Sequence, residues 1–250
     1  MEPSRGNVSL FSERLRNLWN SQNASRPIGP GVTPRDWFRF ENKAEVSELF
    51  IYDAIFPDDG FSGGVGAAEF QKQLNEVKAP KLNLYLNSPG GLVSDGTTIY
   101  NALKQHPATV NVRVMGLAAS IASVIAQAGD TIEMSPGSLM MIHEASAFTL
   151  GTASDHRKSA EVLDTMTAAI AGIYAGRSGK DASHWRALMS AETWFSDQEA
   201  VVAGLADSVV GQATTGPTNT VEEPAIPSWQ DAARRLVAAA QMEVIHAYAH

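Results

Sequence analysis

The chain has 250 residues and no cysteine; 44% of its residues are hydrophobic, and 19 basic against 27 acidic side chains give a net charge of −8. Such a composition supports an ordinary globular core. It excludes disulfide scaffolds, thiolate nucleophiles, iron–sulfur clusters and cysteine zinc sites, and it argues against a nucleic-acid binder, which needs a basic face for phosphates.

No apolar run approaches the roughly 20 residues that span a bilayer. The start, Met1-Glu2-Pro3-Ser4-Arg5-Gly6, lacks the basic-then-apolar pattern of a signal peptide. The expectation is a soluble cytoplasmic protein without a membrane partner.

Three segments are expected: a polar N-terminal segment over residues 1–35, one domain over 36–211, and a linker with a C-terminal helix over 212–250. In the first, Leu10, Phe11, Leu15, Leu18 and Trp19 fall at helical spacing. That stretch, Ser9 to Asn20, reads as a weakly docked helix or as an anchor for a partner. In the domain, Val46, Leu49 and Ile51 mark a strand, and a helix is predicted over Gly66–Val77. Leu82, Leu84 and Leu86 alternate as in a strand, which Gly90-Gly91 breaks. Helical spacing resumes over Val93–Gln105, followed by a strand at Val110–Met115 and a buried helix at Ser120–Gln127. Short strands are predicted at Thr131–Met134 and Leu139–Ile142, then a long amphipathic helix from Thr152 to Gly176. Asp181 is a candidate cap for a helix through Leu188. The last elements are a helix at Asp197–Ala203 and a strand at Ser208–Val210. Alternating strands and helices predict an α/β fold with a largely parallel sheet. Beyond it, Pro, Thr and Gly dominate residues 212–228, and Ser228 starts a helix.

Several motifs fail on context. Gly64-Val65-Gly66 follows a turn rather than a strand, so it is a poor dinucleotide fingerprint. Gly176-Arg177-Ser178-Gly179-Lys180 lacks the earlier glycine of a phosphate loop, and Asp181 stands where Ser or Thr is needed; it reads as the turn closing the long helix. His143-Glu144 begins like a zinc-protease motif, but Ala147 replaces the second histidine. Neither a metal nor another cofactor is expected.

Two strand-end motifs remain. Asn87-Ser88-Pro89-Gly90-Gly91 ends one strand, and its glycines allow backbone N–H groups to approach a ligand. Gly116-Leu117-Ala118-Ala119-Ser120 ends another and places Ser120 where a helix begins. Unpaired N–H groups there favour developing negative charge. A serine oxygen beside such donors is what acyl transfer requires. Taken by itself, Ser120 also reads as a plain N-cap. His143 ends the apolar strand Leu139-Met140-Met141-Ile142 and is a candidate base, or a structural histidine. Glu192 precedes Thr193-Trp194-Phe195 and is a candidate acid, or a solvated carboxylate.

Together, and in this order, Asn87-Ser88-Pro89-Gly90-Gly91, Gly116-x-Ala-Ala-Ser120, Met141-Ile142-His143 and Glu192…Gly204-Leu205-Ala206-Asp207 resemble the Clp protease proteolytic subunit (ClpP) family, over roughly Leu49 to Val210. The likeness is strongest to phage and prophage members that act as head maturation proteases. The resemblance implies a serine endopeptidase with Ser120 as nucleophile, His143 as general base, and backbone N–H groups of Gly91 and Ile121 as the oxyanion hole. Glu192 stands where the family usually has aspartate, and Asp155, Asp164 and Asp197 are fallback acids. The implied fold is the ββα spiral shared with crotonases, with the long helix as a handle between rings. The implied partners are polypeptide substrates, further copies in heptameric or tetradecameric rings, and either an AAA+ unfoldase or phage capsid and scaffold proteins. Two other readings use the same fold: a crotonase-like acyl-CoA enzyme, and a catalytically impaired structural ring subunit.

Overall fold

The computed structural model describes residues 37–55 and 66–212. The helices expected at Ser9–Asn20 and from Ser228 onward lie outside the described residues. Within them, eight strands form one sheet. The first strands are β1 (Phe38–Glu41), β2 (Val46–Ile51), β3 (Lys81–Ser88) and β4 (Thr109–Ala119). The others are β5 (Thr131–Met134), β6 (Leu139–Ile142), β7 (Thr193–Ser196) and β8 (Ser208–Val209). Helices α1 (Ala67–Glu76), α2 (Val93–Gln105) and α3 (Ile121–Ala126) connect them, followed by α4 (Ala153–Ser178), α5 (Ala182–Ser190) and α6 (Asp197–Ala203).

The sheet runs β1-β2-β3-β4-β5-β8 and is parallel from β2 onward, with β1 antiparallel to β2. The alternation read from Leu82, Leu84 and Leu86 is the inward face of β3; Val110, Val112 and Val114 continue that face on β4. Beneath it, α3 is buried at every position. That is where a helix made only of Ile, Ala, Ser and Val must sit, because it has no polar stripe to show to water.

One feature positions everything that follows. β4 changes partner along its length. Asn111–Val114 pair with β5, whereas Leu117–Ala119 pair in parallel with β6. Between the halves the register with β3 slips: Leu86 faces Val114, but Ser88 faces Ala118. The extra residues bulge, and the strand bends out of one branch into the other. The Asn87 side chain accepts a bond from the N–H of Leu117 (3.1 Å), which supports the bend. The sequence predicts that the strand stops at Met115, since Gly116-Leu117-Ala118-Ala119 looks like a turn. It continues because β6 supplies a second set of partners. β7 was also not anticipated; it pairs antiparallel with β6, Ile142 facing Thr193.

The long helix runs past Gly176. It opens with a capping box, Thr152 and Asp155 bonding reciprocally, and closes at Gly179, whose φ of +72° suits a glycine C-cap. Its first half is exposed at nearly every position. The second half docks through Thr167, Ile170, Ala171 and Tyr174. Among the described residues no helix is long and apolar enough to cross a membrane.

Candidate active site

β3, β4 and β6 are mutually parallel neighbours, so their C-terminal ends lie on one edge of the sheet. Asn87 to Gly91 leave β3 there, Ser120 follows β4, and His143 follows β6. Ligands in open α/β sheets bind at such an edge, where the strand connectivity switches.

Ser120 sits at φ +55°, ψ −129°. This is a sparsely populated conformation for an L-residue and costs about 1–3 kcal/mol. Three hydrogen bonds to its main-chain groups hold it. The N–H of Ser120 donates to Met141 O (2.9 Å), and its carbonyl accepts from the Ser123 N–H (3.0 Å) and the Ser123 hydroxyl (2.5 Å). The plain N-cap reading is therefore corrected: the Ser120 side chain makes no capping bond. The unusual backbone turns it away from the helix, and its Oγ lies 2.7 Å from His143 Nε2. When Nε2 carries no proton, the hydroxyl is the donor in this contact.

The glycine pair comes close to the serine. Gly90 and Gly91 have φ of +93° and +152°. A methyl group on Gly90 would lie 2.7 Å from Ala119 O and 2.8 Å from Ser120 Cβ; one on Gly91 would lie 2.0 Å from Ile55 O. Only glycine fits either place. Ile55 brackets Gly91 as in a parallel ladder, through Ile55 N–H to Gly90 O (2.8 Å) and Leu92 N–H to Ile55 O (2.9 Å). Ser88 anchors the turn, donating to Asp53 O (2.7 Å) and accepting from the Gly90 N–H (3.1 Å). The N–H of Ile121 belongs to the first turn of α3 and has no intrahelical acceptor. A small cleft is lined by Gly91, Ser120, Ile121 and His143, together with Ile170 and Tyr174 from the long helix.

Burial lowers the pKa of His143 from the ordinary histidine value, and the charges of Glu192 and then Glu144 pull it partly back up. Glu192 is brought near by β7. One step beyond the paired residues Ile142 and Thr193 stand His143 and Glu192. Glu192 itself has φ +49°. Among the described residues its carboxylate does not bond to His143; it accepts from Trp194 Nε1 at 3.3 Å. It acts on the ring by charge.

The fallback acids are engaged elsewhere, which removes them from the site. Asp155 bonds to the N–H and hydroxyl of Thr152, Asp164 pairs with Arg186, and Asp197 accepts from the N–H groups of Gly137 and Gln198. Glu144, Ser123 and Tyr174 belong to the neighbourhood and were not anticipated. Their only sequence signals are adjacency to His143, a serine three residues after Ser120, and a tyrosine on a helix. Among the described residues no three His, Asp or Glu side chains gather as metal ligands.

The chain is similar to the ATP-dependent Clp protease proteolytic subunit 1 of Salinibacter ruber, with 29% identity over 140 residues, or 55% of this chain. It spans about 60% of that relative's length. The family model described as Clp protease matches residues 67–213, which takes in the glycine turn, Ser120, His143 and Glu192. As that match extends over more than half of the sequence, the chain belongs to the Clp protease family.

Proposed function

We propose that the protein is a serine endopeptidase with Ser120 as nucleophile and His143 as general base. The observation that carries this is the 2.7 Å contact between Ser120 Oγ and His143 Nε2, at a serine held in a strained, outward-facing turn. Ser120 Oγ attacks the scissile carbonyl carbon and its proton passes to His143 Nε2. The resulting oxyanion is met by the N–H groups of Gly91 and Ile121. As the C–N bond breaks, His143 returns the proton to the departing amine, leaving an ester on Ser120. Water then attacks the ester, again losing a proton to His143, and the Ser120–acyl bond breaks with reprotonation of the serine. Glu192 stabilises the imidazolium by charge.

The substrates on this reading are polypeptides, and the working form is a homo-oligomeric ring that encloses the sites. The narrower reading is the processing of phage capsid and scaffold chains. It is supported by the Glu192-Thr193-Trp194-Phe195 block and by the segments on both sides of the matched region. An AAA+ unfoldase is the alternative source of substrate.

One observation favours a second reading. Glu192 is bonded to Trp194 and not to His143, as in a ring subunit of low or absent activity. A single experiment separates the two. A fluorophosphonate probe is expected to label Ser120 and block peptide hydrolysis, and Ser120→Ala is expected to abolish hydrolysis with folding intact. Label on another serine, or undiminished hydrolysis by the alanine variant, overturns the peptidase assignment. Absence of both label and hydrolysis in the folded wild-type ring selects the impaired subunit.

A further inference from the structure

We propose that Tyr174 is a positioning residue, which through Ser123 fixes the peptide group between Ser120 and Ile121 and so aims the Ile121 N–H at the oxyanion. The inference rests on the peptidase reading of Ser120.

The hydrogens can be counted. Ser123 Oγ lies 2.5 Å from Ser120 O and 2.7 Å from the Tyr174 hydroxyl. A carbonyl oxygen only accepts, so the single hydroxyl hydrogen of Ser123 goes to Ser120 O. The Tyr174 hydroxyl must then be the donor to Ser123. Burial supports that role, because it raises the phenol pKa and keeps the proton in place. The result is a directed chain from the long helix to the serine: Tyr174 O–H to Ser123 Oγ, and Ser123 O–H to Ser120 O.

The end of that chain matters because a peptide unit is planar and trans. Its C=O and N–H point in opposite directions. The C=O of Ser120 and the N–H of Ile121 belong to the same unit, so fixing the first fixes the second. Bonds in a chain also polarise one another: a hydroxyl that accepts is a better donor, and a carbonyl that accepts strongly makes its own N–H more acidic. Without the chain, the strained torsions of Ser120 are held by the N–H of Ser123 and by Met141 O alone. Tyr174 is well placed for this, being buried against Trp185 with ring centroids 5.6 Å apart and bordering the cleft. Both side chains are buried and each hydroxyl is engaged within the protein, so on this proposal both act on the transition state and not on the ground state.

The test is steady-state kinetics of the assembled full-length protein. Tyr174→Phe removes one oxygen and keeps the ring; Ser123→Ala removes the bond to Ser120 O. The expected results are a kcat lower by about tenfold for Tyr174→Phe and by more for Ser123→Ala, below the roughly 100-fold loss of a whole oxyanion donor. KM and the affinity for a product peptide should be unchanged. A peptide boronate, which mimics the tetrahedral oxyanion, should weaken in parallel with kcat. The double variant should be no slower than Ser123→Ala, because the two hydroxyls act in series. The proposal is overturned if Tyr174→Phe keeps full kcat, if the loss lies in KM, or if the effects multiply. It is also overturned if both variants fail to fold, since the hydroxyls then serve the fold and not the oxyanion. Ser120→Ala, assayed alongside, distinguishes this outcome from failure of the peptidase reading: an active Ser120→Ala variant removes that reading, whereas an inactive one with a fully active Tyr174→Phe removes only the role of Tyr174.

Discussion

At the scale of the residue, His143 carries two opposed influences. Burial favours the neutral ring, which on the peptidase reading accepts the serine proton, and the charges of Glu192 and Glu144 favour the imidazolium that this reading forms during reaction. The rate should therefore fall toward acid with a midpoint below the ordinary histidine pKa of roughly 6.5. Removing a negative charge disfavours imidazolium, so Glu192→Gln is expected to move the acid limb of kcat/KM to lower pH while lowering the plateau. Glu144→Gln should move the limb the same way by less and leave the plateau close to wild type. A limb that shifts toward neutral pH in Glu192→Gln contradicts the electrostatic role. That Ser120 and His143 meet was legible because a small-residue turn after a strand, and a histidine closing an apolar strand, are local patterns. Tyr174 was not, because its partner Ser123 lies 51 positions away along the chain. The engagement of the fallback acids was hidden for a similar reason. A carboxylate's partner, whether Arg186 for Asp164 or a backbone N–H for Asp197, is invisible to spacing.

At the scale of the element, the glycine turn is the tightest fit in the site. Gly91→Ala forces a methyl group to within 2.0 Å of Ile55 O, at a φ that L-residues rarely adopt. The turn must move, and its N–H with it. A kcat loss on the order of 100-fold is expected, together with destabilisation of about 1–3 kcal/mol, measured by hydrolysis and by denaturant unfolding of the same sample. A Gly91→Ala variant with wild-type kcat removes its N–H from the mechanism. Most elements were legible from period and breakers. Strand β1 was also unforeseen and the long helix ends later than expected, but two departures bear on the site, the longer β4 and the unforeseen β7, and both are set by pairing with β6. Strand propensity is local, whereas a partner that arrives from elsewhere is not.

At the scale of the whole molecule, the described residues leave apolar side chains uncovered. Phe148 and Leu150 are 89% and 91% exposed in the segment before the long helix, and Val162 is 53% exposed on it. Single exposed apolar residues are ordinary, whereas large ones this bare, close in sequence to a helix whose first half is exposed, are the residues with which to test for an interface. If rings meet there, Phe148→Asp combined with Leu150→Asp should shift the protein to smaller species in sedimentation velocity and leave its unfolding midpoint nearly unchanged. An unaltered distribution places the interface elsewhere.

On the peptidase reading, the forked strand has a bearing on how the protein is kept harmless while it is being made. Synthesis runs from the N-terminus, so Ser120 leaves the ribosome before Met141, whose carbonyl receives the Ser120 amide. Until that later branch zips onto β4, the hydroxyl has neither its elbow nor its imidazole. On the peptidase reading, a half-finished chain is born inert toward its neighbours, and the same ladder that completes the fold arms the nucleophile.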